Sequence, residues 1–463
     1  MTSIATTHPV VVIGAGPAGL AAAANLLERG LEVVVLERGD RAGAAVREWG
    51  HVRLFSRWAE LVDPSARRLL ERAGCMAPDP DAYPVGAEWA RDYLQPLADT
   101  LGDRVRYGVT VTGVARRGRD RVVDSGREDQ PLTVHLTTPS GAARLTARAV
   151  IDASGTFTQP NPLGGDGYPA DGEHLASDRI AYRVPDAAHP ADLARYGGRT
   201  TAVVGAGHSA LTALVALASM AEDLPGTQAV WVLRRGAVGD AFGGGDADGL
   251  PARGALGQRA RQAVEAGRVR VVTGFRTASV ERHGETLTLR SEDGDAIEGL
   301  DGVVGLTGFR PDHSIMTELR LDLDQRLEAP VRLAPLIDPN VHSCGSVHPH
   351  GVAELAHESE PGVYLVGMKS YGRAPTFLAM TGYEQVRSVV ASIAGDHDSA
   401  ARVELTLPET GVCGGAGLFD TNESAEAAAG GCCAPVGTQL VQLGAGVGVG
   451  AVGAGAGARG GSC

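Results

Sequence analysis

The sequence predicts an α/β protein with two Rossmann-like dinucleotide-binding domains and a disordered C-terminal tail. Three observations carry this reading. A strand, glycine turn and helix open the chain at residues 10–27, and the same order returns at residues 201–220. From about Gly411 the composition collapses to Gly, Ala, Val and Ser, leaving too few large side chains to offset the entropy of ordering.

Val10 to Ile13 is a β-branched run that ends in Gly14-Ala15-Gly16-Pro17-Ala18-Gly19, and an Ala-rich helix is expected over Leu20 to Leu27. Glycines at 14, 16 and 19 allow a tight turn, close approach of backbone N–H groups to a pyrophosphate, and close packing of helix on strand. A second apolar strand, Leu31 to Leu36, closes on Glu37, 23 residues after Gly14. A carboxylate there, with Arg38 beside it, suits ribose hydroxyls and repels a 2′-phosphate, so FAD is the expected ligand of this copy.

In the second copy, Thr201 to Val204 leads into Gly205-Ala206-Gly207-His208-Ser209-Ala210, with Ala210 in place of the third glycine. A helix is expected over Leu211 to Met220, then a strand from Ala229 to Leu233 that ends on Arg234-Arg235. Two guanidinium groups where the first copy has a carboxylate suit the 2′-phosphate of NADPH. Two further strands run into glycine turns: Ala149 to Asp152 before Ala153-Ser154-Gly155, and Val303 to Leu306 before Thr307-Gly308. Val363 to Val366 before Gly367-Met368, and an apolar-striped helix within Thr376 to Ala394, close the globular part.

Composition narrows the class. Hydrophobic residues make up 43% and charged residues 21%, a globular balance, and the net charge of −13 disfavours nucleic acid as a partner. Lys369 is the single lysine, so the other 41 basic residues are arginine. The N-terminus carries no basic, then apolar, export pattern, and the cysteines at 75, 344, 413, 432, 433 and 463 have no disulfide-framework spacing. A cytoplasmic protein is expected. The uncharged Leu440 to Ala458 stretch is rich in glycine and too weakly apolar for a membrane span.

Both glycine turns, together with Ala153-Ser154-Gly155 and Thr307-Gly308-Phe309-Arg310-Pro311, resemble the two-dinucleotide-domain flavoproteins that include the flavin-containing monooxygenases. The resemblance covers about residues 9–405. It implies an FAD domain in two parts, residues 1–162 and 309–410, an NADPH domain inserted at 163–308, and a flexible tail at 411–463. It places His51-Val52-Arg53-Leu54-Phe55-Ser56 beside the isoalloxazine, Val111 at the adenine, and Gly367-Met368 with the following helix at the pyrimidine edge. The Phe-x-Gly-x-x-x-His pattern of the classical subgroups is not spelled out; the nearest text is Gly172 to Asp178. The turn often written Gly-Asp in such proteins is Gly367-Met368 here.

Disulfide reductases of this architecture need a CxxC or CxxxxC pair near the flavin, and none occurs in residues 1–405. The resemblance therefore implies a monooxygenase: NADPH reduces FAD, O₂ adds to give a C4a-(hydro)peroxyflavin, and a small substrate with a soft nucleophilic centre is oxygenated. Candidate pocket residues are His51, Arg53, Cys344, Lys369, Tyr371 and Arg373, with Lys369 as a cation near flavin N1 and C2=O. His342 to His350, His357 and Ser370 to Pro375 resemble a subgroup encoded near arsenic-resistance genes. The His/Cys spacing there matches no standard metal site, and no metal is expected. Small-molecule substrate and O₂ are the expected partners, and a homodimer is compatible with the pattern. Two alternatives stay open: a thiol or metalloid reductase that relays electrons through Cys432-Cys433, and a flavin-bearing metalloid-binding or sensing protein that uses the tail cysteines.

Overall fold

The computed structural model describes residues 8–341, 349–375 and 377–405. Cys344, the tail from residue 411 and its cysteines lie outside the described residues.

The strands are, in chain order, β1 (Val10–Ile13), β2 (Val33–Leu36), β3 (Val105–Arg106), β4 (Thr110–Arg116), β5 (Leu132–Thr138), β6 (Gly141–Ala147), β7 (Ala149–Asp152), β8 (Ile180–Ala181), β9 (Thr200–Val204), β10 (Gln228–Val232), β11 (Val269–Val272), β12 (Thr277–His283), β13 (Thr286–Ser291), β14 (Ala296–Leu300), β15 (Gly302–Gly305) and β16 (Val363–Leu365). The helices that matter for the site are α1 (Pro17–Glu28), α2 (Pro64–Arg72), α3 (His208–Asp223), α4 (Pro251–Glu265) and α5 (Ala379–Ile393).

Two parallel five-stranded sheets form, β16-β7-β1-β2-β3 and β11-β10-β9-β15-β8. The first sheet takes β16 from beyond the second, so the second fold is inserted into the first. Each sheet is covered on both faces, and this explains the unbroken apolar strands. Val10, Val12, Val33, Val35 and Ile151 pack with Leu20 and Leu26 of α1 and Val386 and Val389 of α5. Val11, Ile13, Val34, Leu36 and Val150 face Val114, Leu132 and Val134 of the antiparallel β4-β5-β6 layer. In the second sheet, Val203, Trp231 and Val304 meet Leu211 and Leu214 of α3 and Leu256 of α4. Ala202, Val204, Val230 and Val303 meet Leu287, Leu289, Ile297 and Leu300 of the antiparallel β12-β13-β14 layer.

The two passages between the folds run side by side. Asn161 N–H donates to Gly308 O at 2.9 Å, Thr307 Oγ1 donates to Asn161 O at 2.6 Å, and Arg310 Nε donates to Asn161 Oδ1 at 2.7 Å. Phe157 and Phe309 add a ring contact at 5.6 Å.

Most elements fall within a few residues of expectation, with two kinds of difference. Helix α5 begins at Ala379 and not at Thr376, which puts Leu378 at its N-cap, outside the helix. The two antiparallel layers were not anticipated, because their strands carry Thr, Arg and Gly on the outer face and dilute the apolar signal. One of these layers is pinned by a buried charge cluster: Arg116 Nε and Arg127 Nη2 bind Glu360 at 2.6 and 2.8 Å just before β16.

Candidate functional site

The first glycine turn is shaped by what a side chain would strike. Gly14 has φ +98°, and a Cβ there would lie 2.9 Å from Ala153 O; a Cβ at Gly19 would lie 1.9 Å from Gly14 O. Beside Gly16, by contrast, there is nothing within 4 Å. Gly16 is the N-cap of α1 and supplies no capping side chain, so the first-turn N–H groups face this open space. Glu37 is fixed by N–H donations from Ala15 and Gly39, each at 2.7 Å, and keeps lone pairs for ribose hydroxyls. This cradle and carboxylate fit the pyrophosphate and ribose of FAD. Arg38 beside it is exposed.

Three segments converge on this turn. Ser154 Cα would touch a Cβ at Gly14, and a Cβ at Gly367 would lie 2.9 Å from the Ala18 methyl. Asp152, at the end of β7, accepts from Lys369 Nζ at 2.6 Å and from Ser154 N–H at 3.0 Å, and Lys369 also donates to Ser154 Oγ at 3.0 Å. Gly367 N–H donates to Gln385 Oε1 of α5 at 2.9 Å, and Ser370 Oγ donates to Gly367 O at 2.8 Å. Met368 is half-buried next to them. Gly155 follows Ser154 and leaves its surroundings open.

Beyond Lys369 lies a group that the sequence did not single out. His313 Nε2 contacts Glu328 O at 3.1 Å, while its Nδ1 is buried without a partner in the structure. Burial, followed by the nearby Lys369 ammonium, holds the imidazole below its ordinary pKa and so neutral. Glu328 has φ +56°, a left-handed conformation for a residue with a side chain, and its carboxylate binds Arg373 at 2.6 Å. Gly372 makes this possible, since a Cβ there would lie 1.9 Å from Leu327 O. Tyr371 is fully buried, edge-on to Phe377 at 4.9 Å, and burial pushes its phenol up. The only sequence signal for His313 was its place two residues after Pro311.

The 51–56 segment reaches the second fold. Val52 and Phe55 pack against the core of the second fold, and Phe55 meets His208 edge-on at 5.4 Å. His51 Nε2 is buried without a partner in the structure, Ser56 is buried, and the exposed Arg53 donates to Tyr83 O. Val111 is half-buried on β4, opposite Leu136.

The second turn repeats the logic of the first. Gly205 has φ +139°, and a Cβ would lie 2.2 Å from Leu306 O, just before Thr307 and Gly308; at Gly207 there is nothing within 4 Å. Gly207 caps α3 without a side chain, His208 begins the helix, Ser209 is exposed and Ala210 is buried against the sheet. Arg234 is exposed and Arg235 half-buried just past β10. A loop then folds over this end: Phe242 packs on Trp231 at 5.4 Å, and Asp248 pairs with Arg253 of α4 at 2.7 Å, buried. A cradle with two nearby guanidinium groups fits NADPH.

Two parallel folds, the second inserted in the first, each with a glycine cradle and uncapped helix end at the carboxyl edge of its sheet, define a two-nucleotide flavoprotein. The family model for pyridine nucleotide-disulphide oxidoreductases matches residues 11–341, and the chain belongs to that family. The chain is thus an oxidoreductase of that family, and its two cradles fit FAD and NADPH. It is 33% identical over 152 residues to indole-3-pyruvate monooxygenase YUCCA1 of Oryza sativa subsp. japonica, covering 32% of this chain and 32% of that protein. It is 28% identical over 221 residues to flavin-containing monooxygenase FMO GS-OX-like 2 of Arabidopsis thaliana, covering 40% of this chain and 44% of that one. The chain thus spans under half the length of these two relatives. The bacillithiol disulfide reductase Bdr of Bacillus cereus shares the fold, with TM-score 0.62, 20% identity, and coverage of 84% of this chain and 99% of that one. Among the described residues, no helix is long and apolar enough to cross a membrane.

Proposed function

We propose that the protein is an NADPH-dependent FAD monooxygenase acting on a small molecule with a soft nucleophilic centre, with O₂ as co-substrate. The observation that carries this is the joining of two nucleotide cradles, bridged at Phe55 and His208, in a chain whose residues 1–405 spell no CxxC or CxxxxC pair. The monooxygenase relatives support it. FAD held by the Gly14-Gly16-Gly19 turn and Glu37 would supply two-electron redox chemistry between NADPH and O₂.

The protein's own residues bind, orient and exclude water. We assign the FAD pyrophosphate to the Gly14-Gly16-Gly19 turn, the ribose to Glu37, and the NADPH 2′-phosphate to Arg234 and Arg235. The buried Lys369–Asp152 pair fixes Ser154 beside the first turn. We assign Tyr371, Phe377 and the neutral His313, packed near this pair, to keeping water from the flavin side. His51, Arg53, Arg373 and Cys344 remain pocket candidates, and so do Val111 at the adenine and Thr307 and Gly308 at the passage between folds. The domain boundaries at 162/163, 308/309 and 410/411, a cytoplasmic location and a link to arsenic resistance belong to the same proposal. In that case trivalent arsenic joins sulfur and nitrogen as an oxygen acceptor.

The test is ¹⁸O₂ labelling of thioether, amine and trivalent arsenical substrates in the presence of NADPH. Product carrying one ¹⁸O per NADPH consumed supports the reading, whereas NADPH consumption that proceeds without O₂ and reduces a disulfide overturns it. The family's disulphide-reducing members favour a second reading, a reductase with Cys432-Cys433 as relay. Replacing both cysteines with serine abolishes turnover only in that case.

A further inference from the structure

The parallel strands β8, β9 and β15 start side by side, and the residues just before them are charged: Asp178 and Arg179 before β8, Arg199 before β9, and Asp301 before β15. Together with Arg195 and Tyr196, from the short helix Pro190–Tyr196, they line a cavity of about 170 Å³. It lies at the amino edge of the second sheet, and β9 runs from it to the Gly205 cradle at the other edge, roughly 16 Å away. We infer that this cavity is a binding site for a phosphate group, carried by free phosphate or by a small phosphate monoester, separate from both nucleotide cradles.

The charges at the cavity do not cancel. Both carboxylates that line it are committed: each oxygen of Asp178 accepts from Arg282 at 2.6 Å, and Asp301 Oδ2 accepts from Thr200 N–H at 2.8 Å. Arg179 is paired with Glu285. Arg195 lies over the Tyr196 ring at 5.7 Å and donates from Nη2 to Asp178 O at 3.2 Å, which fixes the guanidinium without neutralising it. Arg199 has no ion pair and no side-chain hydrogen bond among the described residues. Two open guanidinium forks side by side match a phosphate dianion in charge and in the spacing of its oxygens. In a chain of net charge −13, such a spot stands out as an attractor of anions. The cavity also has a buried wall, because Tyr196 is 2% exposed and belongs to the core of the second fold. The Tyr196 hydroxyl is buried without a partner in the structure, and such a group ordinarily meets a ligand or a water. Gly302 keeps the strand starts close, since a Cβ there would lie 3.2 Å from Arg179 O.

The test is the melting temperature of the FAD-loaded protein against inorganic phosphate and against glycerol 3-phosphate, with ionic strength held constant by chloride. A ligand of the folded state raises the melting temperature once its concentration passes Kd. Phosphate also stabilises proteins by exclusion from their surface, and it can enter the nucleotide cradles, so the comparison is wild type against Arg199→Ala and Arg195→Ala, which share those effects. Both positions are exposed, so the variants are expected to fold. The rise should begin at about tenfold higher concentration in each variant, the value of one charge-assisted contact. An earlier onset with glycerol 3-phosphate than with phosphate identifies an ester as the ligand, and an equal or later one identifies free phosphate. A rise in Arg199→Ala equal to that of wild type, with both probes, overturns the inference.

Discussion

Lys369 Nζ lies 2.6 Å from Asp152 Oδ2, with the two side chains 1% and 0% exposed, and the bond ties the turn after β16 to the turn after β7. These turns flank the Gly14 cradle, so the pair is a clamp under the FAD site. In a chain whose other basic residues are all arginine, a lysine here has a physical reason. A compact ammonium fits between Asp152 and Ser154, where a planar guanidinium would bury donors without acceptors.

Lys369→Met leaves Asp152 as an unpaired buried charge and is expected to cost about 3–5 kcal/mol in stability. FAD content should fall with it. The double variant Lys369→Met/Asp152→Asn should recover most of the loss, because both charges are gone. Urea denaturation and flavin absorbance measure this; a single variant as stable as wild type would rule the clamp out.

Asp63 caps α2 by accepting from Ala66 N–H at 2.9 Å, and it is buried against Asn25 of α1. Burial outweighs these donors and pushes the carboxyl from 3.8 up to about 6. The folded state therefore holds the proton more tightly than the unfolded chain. The contribution of this group is fully present below pH 3.8 and is lost as pH rises through 6, a difference of about 3 kcal/mol. Asp63→Asn keeps the capping oxygen and removes the charge. Its melting temperature should exceed that of wild type at pH 8 and converge with it at pH 4. Parallel pH profiles for the two proteins would contradict this.

Arg234→Ala and Arg235→Ala are each expected to raise KM for NADPH by about tenfold to a hundredfold, the value of one charge-assisted contact. KM for NADH should stay nearly unchanged. Equal effects on both nucleotides would remove these residues from the 2′-phosphate site.

Much of the fold was legible in the sequence because its signals are local. Val10 to Ile13 and Thr201 to Val204 are apolar throughout, as doubly covered parallel strands must be, and each runs straight into its glycines. Glu37 could be read from its spacing. What escaped was long-range. Asp152 meets Lys369 across 217 residues, and Glu360 meets Arg116 across 244; neither pairing leaves a pattern in either segment. The contact of Phe55 with His208 depends on how one fold docks on the other. His313 is set by a left-handed turn at Glu328 that Gly372 permits, a coincidence of two distant segments.

In the proposed function, electrons taken from NADPH pass through FAD to O₂ and stay available to the substrate. The most direct test is stopped-flow absorbance: reduce the protein with NADPH without air, then mix it with O₂. A transient absorbance phase distinct from both the reduced and the oxidised flavin is expected before oxidation completes. Direct return from reduced to oxidised flavin in a single phase, with and without the thioether, amine and trivalent arsenical panel, would contradict it.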